Sequence, residues 1–249
     1  MTAANAPTRK ISLNDLGLRY LRNIQHLSDL TAYGWAGART VSEQGYDEVA
    51  RGVPGLPSTQ FRLPFEVVKQ ESDRAWLKYT LSELIGLIFV YLDDLRKVSG
   101  LVFFNAAKAR GDGDLATLAA ELNKAPEDVD LPSRLKDLKE RFGITTELEP
   151  HLVSLTRFAR LLIQNGGVVP KGESLRLRVR KLVPPASADA KPTLQDWEIC
   201  WKSEDRVALG RNDHAAIFTT VSLFISATLG AVQELAKRQG LGDEEPAAQ

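Results

Sequence analysis

The chain has 249 residues, with 32 Lys and Arg against 32 Asp and Glu and a formal net charge of zero; 43% of its residues are hydrophobic. That balance excludes a protein whose whole surface is a cationic binder of nucleic acid or anionic lipid, and it leaves such work to a local patch. The composition also excludes disorder of the whole chain, and the length suits one large domain or two small ones.

Residues 1 to 9 read as a loose tail. Leu13, Leu16, Tyr20, Ile24, Leu27 and Leu30 recur at three and four positions, which predicts a helix over Ser12 to Tyr33, capped by Ser12 or Asn14 and ended by Gly34 and Gly37. From there to Pro64 the Gly and Pro content predicts an irregular connection holding a short helix near Tyr46 to Arg51. Phe65 to about Arg110 carries the longest helical stripe, through Trp76, Tyr79, Leu84, Ile88, Tyr91 and Leu95, with Gly86 and Gly100 as places of close approach or a break. Gly111 to Asp114 stops it. A short helix from Leu115 to Asn123, an acidic loop at Glu127 to Asp130 and a mixed-charge helix from Pro132 to Phe142 follow, closed by Gly143.

Glu147 to Gln164 is the next strong helix, ending in Asn165-Gly166-Gly167. Beyond it the period changes from about 3.6 to 2. Leu175, Leu177 and Val179 alternate with Arg176, Arg178 and Arg180, and Trp197, Ile199 and Trp201 alternate with Glu198, Cys200 and Lys202. Two strands are expected, joined by the stretch Pro184 to Pro192, with a turn at Ser203 to Asp205 and a third short strand at Val207 to Leu209. Asn212 or Asp213 then caps a last helix running to about Arg238. The fold class is therefore mainly α, a helical bundle with a small antiparallel β-hairpin inserted before the last helix. Its divisions are an N-terminal helix and connection over 1–64, the bundle over 65–238 with the β insertion at 174–209, and an acidic tail over 239–249.

From Ala215 to Gln233 no charged residue occurs, but Thr219, Thr220, Ser222, Ser226 and Thr228 dilute the apolar content, and Asp213 and Glu234 flank it. The segment reads as a core or interface helix, and no membrane association is expected. The single cysteine, Cys200, cannot form an intrachain disulfide or a multi-cysteine zinc site. No charged start followed by an apolar run is present, so the expected location is cytoplasmic.

No metal-ligand motif, phosphate loop, dinucleotide glycine pattern or nucleophile elbow occurs, and no cofactor is expected. The paired acids Asp93 and Asp94 read as a solvated helix face. Arg19, Arg22 and His26 share one face of the first helix, a spacing able to hold phosphate. His214, beside Arg211 and Asp213, starts the last helix, where unpaired N–H groups favour an anion, and His151 has no distinctive partner. Arg176, Arg178 and Arg180 fall on one face of the first strand and form a local basic stripe able to grip a phosphate backbone. Trp197 and Trp201 are expected on the apolar face that packs on the bundle.

The run Arg157-Phe-Ala-Arg160-Leu-Leu-Ile-Gln164-Asn165-Gly166-Gly167 closes a long helix. In that position it resembles the HEPN-like helical domains of bacterial defence and toxin systems, whose long helix ends in Arg-Asn, an apolar triplet, a His and a glycine turn. The resemblance spans roughly residues 65 to 238. It implies a homodimer through the long helices, an RNA or protein partner, and metal-independent ribonuclease chemistry carried by the Arg and His. Aligned on Asn165-Gly166, the Arg and Asn places hold Ala159 and Arg160, and the His place holds Gln164, which cannot take a proton at neutral pH. The leading expectation is therefore a HEPN-like association module whose catalytic residues are replaced. Its rivals are a ribonuclease using Arg160 with Gln164 or the displaced set Arg22 and His26, and a ligand-sensing module with a pocket under the 34–64 connection.

Overall fold

A computed structural model describes residues 12–52, 63–111, 114–124, 130–184 and 191–241. The predicted tail at 1–9, most of the Gly/Pro-rich connection, the acids at 127–128, the middle of the 184–192 link and the acids at 243–245 lie outside the described residues. Among those described, the chain forms helices α1 (Leu13–Thr40), α2 (Glu43–Gly52), α3 (Phe65–Arg110), α4 (Leu115–Asn123), α5 (Leu131–Phe142) and α6 (Glu149–Gln164). Strands β1 (Leu175–Val183) and β2 (Thr193–Trp201) follow, then helix α7 (Arg211–Arg238). The mainly helical fold with one antiparallel hairpin before the last helix is the expected one.

The spine is α3, against which α1, α4, α5, α6 and α7 all pack. Its stripe of Leu84, Ile88, Tyr91 and Leu95 is buried, facing Tyr20 and Ile24 of α1, Leu152 and Phe158 of α6, and Val221 and Phe224 of α7 within one continuous core. Apolar stretches in both α3 and α7 are long enough to cross a bilayer by length and composition, and in this fold each turns buried residues into that core.

Caps explain most of the boundaries. Ser12 Oγ accepts from Asp15 N–H at the start of α1, Asp114 from Ala116 and Thr117 at the start of α4, and Asp130 from Ser133 at the start of α5. Gly111 and Gly143 take the left-handed conformation that ends α3 and α5. Two expectations fail at helix ends. Gly34 and Gly37 do not end α1; Gly34 lies inside it and is buried where α1 meets α3, and a Cβ there would stand 2.6 Å from the Trp76 ring. The last helix is capped by Gly210, with Asp213 at the third helical position accepting from the Gly210 N–H at 2.8 Å. Gly86 and Gly100 leave α3 unbroken.

The paired acids are not a solvated face. Asp94 accepts from Arg19 at 2.5 Å and from the Tyr20 hydroxyl at 2.7 Å, and Asp93 pairs with Arg134 of α5. Nearby Arg96, almost fully enclosed, reaches Asp137 of α5 at 3.0 Å and the Leu122 carbonyl of α4 at 3.1 Å.

In the hairpin, Leu175 pairs with Trp201, Leu177 with Ile199 and Val179 with Trp197 on one face, while Arg176, Arg178 and Arg180 oppose Cys200, Glu198 and Asp196 on the other. Strand β1 lies against α6 and α7, and its outer edge is closed by side chains. The Arg178 N–H donates to Ser154 Oγ at 2.9 Å and the Arg180 N–H to Thr220 Oγ at 2.7 Å. No third strand forms at 207–209: Val207 N–H instead donates to the Gly167 carbonyl at 2.8 Å, and Val168 makes a lone bridge with Arg206. Trp201 is buried, but Trp197 is 49% exposed because β2 is the outer strand and overhangs the bundle.

Candidate functional site

Helix α6 is amphipathic. Leu152, Leu155, Phe158, Ala159 and Leu162 are buried, and the same period turns Arg157, Arg160 and Gln164 to solvent. Strand β1 does the equivalent with period two, burying Leu175, Leu177 and Val179 and turning Arg176 and Arg178 outward. Because β1 is fastened along α6 through Ser154, the two exposed rows meet as walls of one groove of about 660 Å³, floored by Val153, Leu161 and Leu175. Residues treated as separate candidates in the sequence, Arg160 with Gln164 and Arg176 with Arg178, thus share one site, joined by Arg157 and Asn165.

The charges in the groove are only partly matched. Glu198 accepts from Arg178 at 2.9 Å and lies 3.5 Å from Arg176, and those partners hold its carboxyl below the usual carboxylate range, the Arg178 hydrogen bond first. Arg157 forms no ion pair among the described residues. Arg160 makes no close one either; its charge adds a smaller effect to the Ser133 hydrogen bonds that already depress Asp130. Four guanidiniums therefore face Glu173 on the wall and the shared Glu198. The carbonyl end of α6 opposes an anion with only about half a charge, too little to reverse the surplus.

Arg180 continues the stripe but points its charge elsewhere, to Asp196 at 2.9 Å and Glu147 at 2.8 Å. Its guanidinium is raised further by those bonds and is a structural clamp between the hairpin and the start of α6. His151 belongs to the same clamp. It is buried, its Nε2 lies 3.2 Å from Asp196 Oδ1 and donates to that carboxylate, and its Nδ1 has no partner among the described residues. This partner of His151 was not legible, since 45 residues separate the two and only the hairpin register aligns them.

Arg22 and His26 lie exposed on α1, which packs on α3 and α7, and neither lines the groove. The structure does not join them to Arg160 and Gln164 within one chain. Nearby Arg19 is engaged by Asp94. Among the groove residues, Gln164 and Asn165 can donate and accept hydrogen bonds, and Ser154 Oγ is committed to the Arg178 backbone and the His151 carbonyl. None of the three is a base. The arrangement can bind and orient a polyanion through charge and amide contacts. Among the described residues no three His, Cys, Asp or Glu side chains converge as a metal site.

Comparison with known proteins found no matching family model, no matching curated protein and no matching solved structure. The site itself carries the functional reading.

Proposed function

We propose that the protein is a HEPN-like association module that holds the sugar–phosphate backbone of a nucleic-acid strand in the α6–β1 groove without cleaving it. The observation that carries this reading is the convergence of Arg157, Arg160, Arg176 and Arg178 on one open groove with fewer acids than guanidiniums. Arg176 and Arg178 stand about 6 to 7 Å apart along the strand and Arg157 and Arg160 about 5 Å apart along the helix, a double row suited to successive phosphates more than to one small anion. Among the described residues no aromatic ring lines the groove. Affinity should therefore be electrostatic, tolerant of sequence and steeply dependent on salt. Gln164, standing where the resembling family has its His, supports binding in place of cleavage.

The reading includes pairing of two copies along α3. Tyr79, Val90 and Leu101 are exposed at steps of 11 residues, about three helical turns, and so recur on one outer face of α3, with Glu83, Asp94 and Lys97 between them. A solution mass of two chains is expected, and a monomer at micromolar concentration removes this part.

The test of the groove is fluorescence anisotropy with a labelled single-stranded RNA between 50 and 200 mM salt. Arg157→Ala with Arg160→Ala removes two phosphate contacts while leaving the Glu198 pairs intact. The double variant should bind at least tenfold more weakly at low salt, and the slope of log affinity against log salt should flatten by about 1 to 1.5. Unchanged affinity and slope would overturn the proposal, as would RNA cut by the purified protein.

A further inference from the structure

A second concentration of positive charge lies away from the groove, where the end of α1, the first third of α3 and the start of α7 meet. A cavity of about 400 Å³ opens there among Arg39, Arg74, Arg206 and Arg211, with Asp73 also on its wall. Arg74 pairs with Glu71. Arg39, Arg206 and Arg211 form no ion pair among the described residues. The first helical turn of α7 adds donors. Asp213 and His214 N–H donate to the Gly210 carbonyl, which leaves the N–H groups of Arg211 and Asn212 directed out of the helix end.

The helix end alone would mean little, but His214 points the same way. It is 5% exposed, its ring makes no hydrogen bond to any described residue, and it stands edge-on to Trp35 with centroids 4.1 Å apart. Its ring nitrogens are not sealed from solvent and open on the cavities that His214 lines, where a polar atom of a ligand can hydrogen-bond to them. His214, Trp35 and Arg211 also line an adjoining cavity of about 390 Å³ whose other walls include Ala32, Ala36 and Phe218. The arginine-lined cavity and the apolar one thus share Trp35, Arg211 and His214 in their walls, giving a charged mouth beside an apolar seat. Each volume is within the range of small-ligand sites.

We propose that this cavity pair binds a small organic phosphate, its phosphate held by Arg39, Arg206, Arg211 and the first N–H groups of α7, and its flat apolar body seated beside Trp35 with a polar atom on His214. The site is independent of the α6–β1 groove and contains none of the residues assigned to it.

Phenyl phosphate and inorganic phosphate serve as probes, titrated calorimetrically into the full chain. Phenyl phosphate should bind at least tenfold more tightly than inorganic phosphate, because only it fills the apolar seat. Arg206→Ala with Arg211→Ala should weaken it by at least tenfold without changing the Tm of the unliganded protein, and Arg39→Ala alone should weaken it in the same direction. The Arg157→Ala, Arg160→Ala protein should bind phenyl phosphate as the parent does. Absence of binding at millimolar concentration overturns the proposal. So does equal affinity for the two probes, and so does binding lost with the groove variant but kept when Arg206 and Arg211 are removed.

Discussion

Gly34 decides how closely α1 lies on α3. Its missing side chain admits the edge of Trp76, and a Cβ would stand within 2.8 Å of three ring carbons. Substitution to Ala adds helix propensity of up to about 1 kcal/mol, while forcing a methyl into an occupied contact costs about 1 to 3 kcal/mol. Steric cost wins because the obstacle is a rigid indole and not the tip of a flexible chain. Gly34→Ala should therefore lower stability by about 1 kcal/mol or more, read as a shift of the denaturant midpoint at constant m-value. A rise in the midpoint would mean that Trp76 swings aside freely. From sequence alone this glycine reads as a stop, because the signal for a helix end and for a helix crossing is the same residue. The same limit hides Asp93 and Asp94, whose partners Arg134 and Arg19 are 41 and 75 positions away.

Among the elements, the seam between α3 and α7 shows what burial demands of a polar group. Tyr91 is fully enclosed, and its hydroxyl donates to the Ile225 carbonyl at 3.1 Å and pairs with Thr228 Oγ at 2.6 Å. Burial pushes its phenol far above the ordinary range, so it remains a donor. Tyr91→Phe keeps the ring and removes the bond, and should cost about 1 to 2 kcal/mol. Thr228 Oγ retains the Phe224 carbonyl at 2.8 Å, so the loss should not cascade; thermal unfolding measures it, and an unchanged Tm would show the bond to be worth nothing net. The seam's helices were plain in the sequence because a 3.6 period survives over many turns. The hairpin was plain too, since the alternation of Leu and Val with Arg is unbroken over six residues of β1. What failed was short or unpaired: Val207 to Leu209 is too brief to distinguish a strand from a loop that makes one bridge, and Trp197 has strand alternation without a neighbouring layer to cover it. The groove itself needed the fold, because Arg160 and Arg176 become neighbours only when Ser154 fastens β1 along α6.

For the molecule as a whole, a net charge of zero conceals separate basic sites, and acid stability depends on one of them. Burial alone pushes His214 down to about 4 from its ordinary 6.5, so the native protein refuses a proton that the unfolded chain accepts. Stability from the neutral ring is complete above about pH 6.5, declines as pH falls through the interval, and is lost by about pH 4, where the native ring also charges. A shift of that size corresponds to about 3 kcal/mol. The guanidiniums of Arg39, Arg206 and Arg211 around the ring stay charged throughout and add no titration of their own. Carboxylates held low, such as Asp196 by its Arg180 hydrogen bond, contribute stability that persists above their unfolded value and disappears only at more acid pH. The window between about 6.5 and 4 is thus the one in which His214 should be visible. His214→Phe keeps an aromatic ring beside Trp35 and cannot take a proton. Urea unfolding at half-unit steps of pH should show the parent losing up to about 3 kcal/mol more than the variant across that window. Parallel losses in the two proteins would mean that the ring reaches solvent in the native state.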